Sequence, residues 1–452
     1  MTYVERVWHP DDGAHLSRRD REPGRYRAYV PDELPLTPPQ LTEKTHRATT
    51  DALTVLARAD ERIGERGGYL NHLLIRSESI SSSWIEGNRV TPKRLAIAEL
   101  LHEGNRVALD VIANVRATED AIDELADRRH RISVEDIEHL QHVIEPRLVP
   151  GIRQEQNWVG GAGWSPLRAD FVPPPETEVR RLLENLADYV SATDGDPVAR
   201  AAIAHAQFET IHPFIDGNGR TGRALIHTVL KRSDALRNIL VPISTVFAGD
   251  TNAYIAGLTA FRAGDVDTWV QSFAAAAELA ATNAVRLAED LDALDLAERG
   301  KLIAHRASRG IRPAEPRRDA VALRILGDLS SHPVLTAADV AERYRVSKVA
   351  AHNALTQLGD SGVLARNKDQ KGRLICWTAD RHLALVALTE RGNRVGAADT
   401  VGARPADPAV PRFPRPLEGA GRVGRRRRHR IGRRRAAGRR AHRHLRVAVG
   451  VL

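Results

Sequence analysis

Twelve residues constrain this chain more than any other stretch: His212-Pro213-Phe214-Ile215-Asp216-Gly217-Asn218-Gly219-Arg220-Thr221-Gly222-Arg223. The residues before them, from Pro197 to Ile211, are mostly alanine and aliphatic and read as a buried helix. The residues after them carry Leu225, Ile226, Val229 and Leu230 at helical spacing. The run is therefore a loop between two helices, and its second half opens the second helix. Gly217 and Gly219 free the backbone to turn sharply. N–H groups gathered at a helix start form an anion nest that the helix dipole reinforces. Arg220 and Arg223, three apart, share one face of the new helix. Two guanidinium forks beside a nest suit a di- or triphosphate. Asp216 supplies a hard oxygen ligand that fits magnesium on the same phosphates. His212 stands where it could take a proton from an attacking hydroxyl. The plainer reading, a tight turn with a solvated arginine pair, leaves this concentration of phosphate chemistry unexplained.

The run resembles the signature of the Fic family, His-x-Phe-x-(Asp/Glu)-Gly-Asn-Gly-Arg-x-x-Arg, with every specified position filled. The resemblance implies transfer of AMP from ATP to a hydroxyl of a target protein. His212 would be the general base and Asp216 the Mg²⁺ ligand. Gly217, Asn218, Gly219 and Arg220 would hold the α- and β-phosphates, and Arg223 the γ-phosphate. The Doc-like kinases of the family depart from Gly-Asn-Gly inside the loop; this chain keeps it, which argues for adenylyl transfer.

Three further stretches gain meaning beside that core. Ser81-Ser82-Ser83-Trp84-Ile85-Glu86-Gly87-Asn88 reads by itself as a short serine-rich helix start, one solvated acid and a glycine stop. It resembles the family's inhibitory motif, (Ser/Thr)-x-x-x-Glu-(Gly/Asn), met as Ser82, Glu86 and Gly87. The resemblance implies that Glu86 sits on Arg223, in the place of the γ-phosphate, so that ATP binds unproductively. Residues 153–171 read as two extended limbs around a turn-rich stretch. They are either a surface hairpin over core or, by resemblance, a flap that pairs with the target's backbone as an added strand. Ser244 to Trp269 resembles the family's closing segment, with Tyr254 near the adenine and Ile255 where many relatives have a second tyrosine. His205 precedes His212 by two turns with Glu209 between. No second carboxylate–histidine pair completes a metal set, so a hydrogen-bonded core histidine is expected. The resemblance covers about residues 30–295, and helices are expected at 42–66, 109–127, 134–144, 178–190 and 266–296.

An arginine- and proline-rich linker, 306–318, leads to a second domain. Three helices carry Val321–Leu329, Val340–Tyr344 and Val349–Leu358. Two short strands then flank the basic stretch 366–373. The pattern resembles a winged helix-turn-helix. Lys348, His352 and Asn353 would face a major groove, with Arg366, Lys368, Lys371 and Arg373 on phosphates. The same fold also serves as a protein-interaction module. From Gly392 the periodicity collapses. Residues 421–452 hold thirteen arginines and no acid, more than the whole net charge of +9, so the preceding chain is mildly acidic. The tail reads either as a polycation for nucleic acid or as out-of-frame translation of GC-rich DNA.

The expected fold is thus mainly α: a Fic-type helical core with a β-hairpin flap, followed by a winged helix-turn-helix domain. The expected division is an N-terminal extension (1–40), which wraps the surface, a Fic domain (41–300), the winged domain (315–390) and a disordered tail (391–452). One cysteine, no signal peptide and no apolar membrane-length run point to the cytoplasm and away from membranes. The expected partners are ATP with Mg²⁺, a target with a Ser, Thr or Tyr hydroxyl, and DNA; a homodimer is left open. Two alternatives stand beside adenylyl transfer. One is a DNA-binding regulator whose core only senses nucleotide. The other is removal of AMP from targets.

Overall fold

The computed structural model describes residues 2–10, 22–37, 39–64, 68–87, 91–101, 124–161, 165–368 and 375–385, with 108, 111, 112, 115 and 119. The chain starts as an antiparallel hairpin, β1 (Thr2–Trp8) and β2 (Gly24–Val30), in register from Thr2↔Val30 to Trp8↔Gly24. An extension wrapping the surface was expected there, and no strand was placed in it, because the stretch is polar and proline-rich. Tertiary packing makes it a sheet: Trp8 meets Trp158 edge-on, and Tyr29 packs on Phe171.

The helices α1 (Glu43–Gly64), α2 (Gly68–Ile85), α3 (Pro92–Leu101), α4 (Val134–Ile144) and α5 (Glu176–Ser191) come next. They are followed by α6 (Pro197–Ile211), α7 (Asn218–Arg232), α8 (Ile243–Gly249), α9 (Thr251–Arg262) and α10 (Val266–Ser308). The stripe Ala52, Leu56, Ala59 and Ile63 buries α1 against α10. Ser133 and Asp136 close the capping box expected at the start of α4. Helix α6 is buried on every side, and its alanines let α7 come unusually close. A methyl group on Gly222 would stand 2.7 Å from Glu209 Oε1 and 2.8 Å from Phe208. This tight helical hairpin holds the twelve-residue loop at its tip. Phe208, Phe214, Leu225 and Leu230 are almost fully buried beneath it, each contributing about 1.5–3 kcal/mol.

Several expectations need correction. Ser81–Ser83 end α2 rather than start a helix, because Leu70, Leu73, Leu74 and Ile75 already bury the turns before them. The two limbs of residues 153–171 meet at a single antiparallel bridge, Val159↔Phe171, with a 3-10 turn at Pro166–Arg168. Helix α10 runs past the expected end at 296 and through the start of the linker. Leu294 and Leu302 stay buried, and Leu302 joins the core of the second unit. The boundary placed at residue 300 therefore lies inside a helix. The helix expected at 109–127, Asn88, the wing loop with Lys371 and Arg373, and the tail from 391 fall on residues mostly or wholly outside those described.

The second unit comprises α11 (Val321–Asp328), β3 (Val334–Leu335), α12 (Ala337–Tyr344), α13 (Lys348–Asp360), β4 (Ala365–Lys368) and β5 (Ile375–Thr378). Its three strands form one antiparallel sheet in the order β3-β5-β4. Thr336 and Ser347 cap α12 and α13 through their hydroxyls. Val349 does not pack inward as expected but is 69% exposed, because Ala351, Leu355 and Leu358 set the buried face of α13. Among the described residues, no helix is long and apolar enough to cross a membrane.

Candidate active site

Helix α6 ends on His212 in the left-handed conformation, φ 49° and ψ 60°. For a residue with a Cβ this costs about 1–2 kcal/mol, and the surroundings hold it there. The His212 carbonyl accepts from Arg153 Nε at 2.9 Å and Asn157 Nδ2 at 3.3 Å. Arg153 Nη2 also donates to the carbonyls of Pro174 and Ile211, at 2.6 and 3.4 Å. A buried guanidinium thus caps the carbonyl end of α6, where positive charge suits the helix dipole. His212 is only 2% exposed, and among the described residues neither ring nitrogen has a hydrogen bond of good geometry. Burial, then the charges of Arg153 and Arg262, push its pKa down to about 3; the nearby Glu209 backbone offsets only part of this. The imidazole is neutral at physiological pH, with a lone pair free to accept a proton.

The loop after it is closed by Asn218. Its Oδ1 accepts from the Phe214 N–H and its Nδ2 donates to the Phe214 carbonyl, both at 2.8 Å. The Asn218 side chain is therefore spent on loop geometry, and what it can offer a ligand is its backbone. Gln141 Nε2 of α4 holds the Asp216 carbonyl at 3.0 Å. Gly217, at φ 81°, makes the turn that lets α7 begin. Asp216 Oδ1 accepts from the Gly217 N–H at 2.6 Å and lies 3.7 Å from Arg220 Nη2. Burial raises the Asp216 pKa against the pull of Arg220, and its side chain keeps 31% exposure. Among the described residues, no three His, Cys, Asp or Glu side chains cluster as a metal site. Asp216 is a partly exposed carboxylate beside the nest, the hard oxygen donor that magnesium on phosphates takes.

The two arginines have different partners. Arg220 Nη2 reaches Glu145 Oε2 at 3.0 Å, and its Nε and Nη1 have no partner among the described residues. Arg223 is fully buried and donates from Nε to Ser82 Oγ at 2.9 Å. Its Nη2 donates to the Ser82 carbonyl and to Glu86 Oε1, each at 2.8 Å. Burial works most strongly against the Arg223 charge, but Glu86, Tyr254 and Glu209 together outweigh it and lift its pKa above the usual range. A methyl group on Gly219 would fall 1.9 Å from Glu86 Oε1. The carboxylate thus lies against the first turn of α7, where the nest and the helix dipole favour an anion.

Behind Arg223 lies a buried cluster. His205 Nε2 meets the Tyr254 hydroxyl at 2.8 Å, amid Phe247 and Trp269. Burial, then the charges of Arg223 and His227, bring the His205 pKa to about 3. The expected core histidine is what the structure has. Tyr254, expected at the adenine, is 3% exposed with its hydroxyl on His205, so it presents no open face to a base. Glu209 is fully buried with neither oxygen hydrogen-bonded among the described residues, and burial pushes its pKa to about 7 despite Arg223 and Arg262.

The structure therefore gathers His212, Asp216–Arg220, Arg223, Ser82 and Glu86 at one place. Gly87 follows as the φ 79° residue that ends α2. It also recruits Arg153, Asn157, Gln141, Glu145 and Glu209. Sequence reasoning missed the first four, since they meet the loop across 55 to 75 residues, and weighed Glu209 only as part of a metal set. Lys348, His352 and Asn353 are exposed on α13, and Arg366 is exposed on β4, which also carries Lys368. These stand on the second unit, apart from the loop. His352 leans edge-on against Trp377.

Residues 124–230, which include α4 to α7 up to Leu230, match the Fic/DOC family model. A protein adenylyltransferase of Caenorhabditis briggsae is 32% identical over 157 residues, 32% of this chain and 27% of the relative. One from Drosophila grimshawi is 28% identical over 201 residues, 40% of this chain and 38% of the relative. The match spans only about a quarter to two fifths of these curated relatives' length. A solved Fic family protein from Desulfovibrio desulfuricans G20 is 19% identical with a TM-score of 0.47, covering 76% of this chain and 97% of that one.

Proposed function

We propose that this chain, whose residues 124–230 are a Fic/DOC family domain, is a protein adenylyltransferase held in check by its own Glu86. One observation carries the reading. A carboxylate of the protein already occupies the nest at Gly219 and pairs with Arg223, so the site is built for an anion. ATP would take that place. The γ-phosphate would replace Glu86 on Arg223, and the remaining phosphates would lie along the N–H groups of Gly217–Arg220. Asp216 would hold Mg²⁺, which when bound neutralises phosphate charge. The neutral ring of His212 would take the proton of a target Ser, Thr or Tyr hydroxyl. That oxygen bonds to the α-phosphorus, the bond to the β-phosphate oxygen breaks, and pyrophosphate leaves.

The relatives named protein adenylyltransferase support this chemistry, and the intact Gly217-Asn218-Gly219 supports AMP as the group moved. The exposed face of α13 and the basic β4 support DNA as the partner of the second unit. The deciding experiment incubates the Glu86→Gly protein with ATP labelled at the α- or γ-phosphate. Label from the α position in protein, and none from the γ position, is expected; the reverse pattern means a kinase.

A further inference from the structure

Only residues 86–91 separate the end of α2 from the start of α3. Whatever fixes α3 therefore limits where Glu86 can go. Helix α3 has ten residues, too few for a stable helix alone. Its apolar side chains face two ways. Leu95 and Ala98 enter the main core. Ala96 instead packs with Val334, Cys376 and Leu383 of the second unit, flanked by Ile97 and Leu100. Lys93 Nζ adds an ion pair to Asp380, at 2.9 and 3.2 Å from its two oxygens. Thr378 Oγ1 orients that carboxylate from 2.7 Å. On the other side of α3, Glu99 pairs with the buried Arg76 of α2.

The segment 379–385 grips α10 as well. Arg381 reaches Glu298 at 2.7 Å and His382 reaches Asp295 at 3.1 Å, while Leu385 packs on the main core. The second unit is therefore fastened to the core helix and closes over α3 from there. Helix α2 is held by Leu70, Leu73 and Leu74 in the core and by Glu78 on the Ser244 N–H, but its second half also carries a cost. Ser77, Ser81 and Ser83 bury hydroxyls that find no partner among the described residues, and an unmade buried hydrogen bond destabilises the position that buries it.

We propose that the second unit braces the inhibitory helix: seated on α3, it keeps Glu86 on Arg223, and loosening that seat raises adenylyl transfer. This rests on the inhibitory reading of Glu86 given above. The brace sets a two-state element, Glu86 on or off Arg223, whose balance any event that moves the second unit would shift.

The Lys93–Asp380 pair is the handle, because both side chains are partly exposed, 38% and 48%, and tolerate exchange. Lys93→Glu and Asp380→Lys each set like charges face to face; the double exchange restores attraction. Each single variant of the full chain should take up about fivefold more α-labelled AMP than wild type. The double variant should return to the wild-type level. Neither single change should add to Glu86→Gly. Amide hydrogen exchange over residues 82–87 should speed up in the singles and slow again in the double. Singles that label like wild type, beside a Glu86→Gly protein that labels strongly, overturn the brace and leave the inhibitory reading standing. The same holds for singles that raise labelling equally in the Glu86→Gly background. A Glu86→Gly protein that labels no more than wild type removes the inhibitory reading and the brace with it.

Discussion

Replacing Glu86 by glycine removes the carboxylate paired with Arg223 and leaves the rest of that arginine's setting intact. Arg223 is fully buried and the Glu86 side chain 13% exposed, so their 2.8 Å contact is little screened. A hydrogen bond between charged groups in such a setting is worth roughly 1.5–3 kcal/mol. A triphosphate must displace it to bind productively, which lowers the productive population by roughly ten- to a hundredfold. After the substitution, Ser82 still holds Arg223 through its hydroxyl at 2.9 Å and its carbonyl at 2.8 Å. The vacated anion site therefore stays organised. Purified protein incubated with α-³²P-ATP should label itself roughly ten- to a hundredfold faster as Glu86→Gly than as wild type, by the same conversion. Glu86→Gln, which keeps the side chain and loses the charge, should fall between them. Equal labelling of wild type and Glu86→Gly would refute the reasoning, since the contact would then hold back nothing.

In the Glu86→Gly background, His212→Ala should lower labelling by about 10²–10⁴-fold while ATP binding measured by calorimetry persists; retained labelling means another base. Gly219→Ala should be inactive with or without Glu86, because its methyl group would also stand 2.8 Å from Arg223 Nη1 in the space a phosphate needs; an active double variant would clear the nest of that role. Burial holds His205 and His212 near pKa 3, so the unfolded chain binds protons that the native one refuses. Their contribution to stability is complete above about pH 6.5 and lost as pH falls toward 3, so His212→Gln should flatten the acid-side fall in Tm. For Glu209 the sign reverses: its pKa near 7 favours the native state at low pH, and Glu209→Gln should flatten the decline in Tm as pH rises from about 4.5 through 7. Protein ending at residue 390 should bind duplex DNA less tightly as salt rises, and Lys348→Ala should lessen the salt slope by about 1; no binding across genomic fragments would point to a protein partner.

The loop at residues 212–223 was legible because its constraints are local. Glycines that permit a turn, a helix start that follows and charges three apart are all set by neighbours in the chain. Helical periods likewise placed α1, α4 and α5 to within a few residues. Sequence similarity to a family pattern, not periodicity, pointed from Glu86 to Arg223. Other features depend on groups far apart in the chain. Arg153 fastens the left-handed turn at His212 across 59 residues, and Glu145 meets Arg220 across 75. No local pattern marks either residue, because the partner that gives it meaning is supplied only when the helices pack. Tyr254 shows the same limit from the other side. Its position resembled a base contact, but its environment is an aromatic core that closes over it. Residue 300 lies inside α10 for a related reason. Prolines and arginines at 306–318 suggested a linker, while a sparse apolar stripe through Leu302 carries the helix to Ser308 because a second core receives it. Local chemistry determined what the site can hold; burial and long-range packing decided which groups are free to act on it.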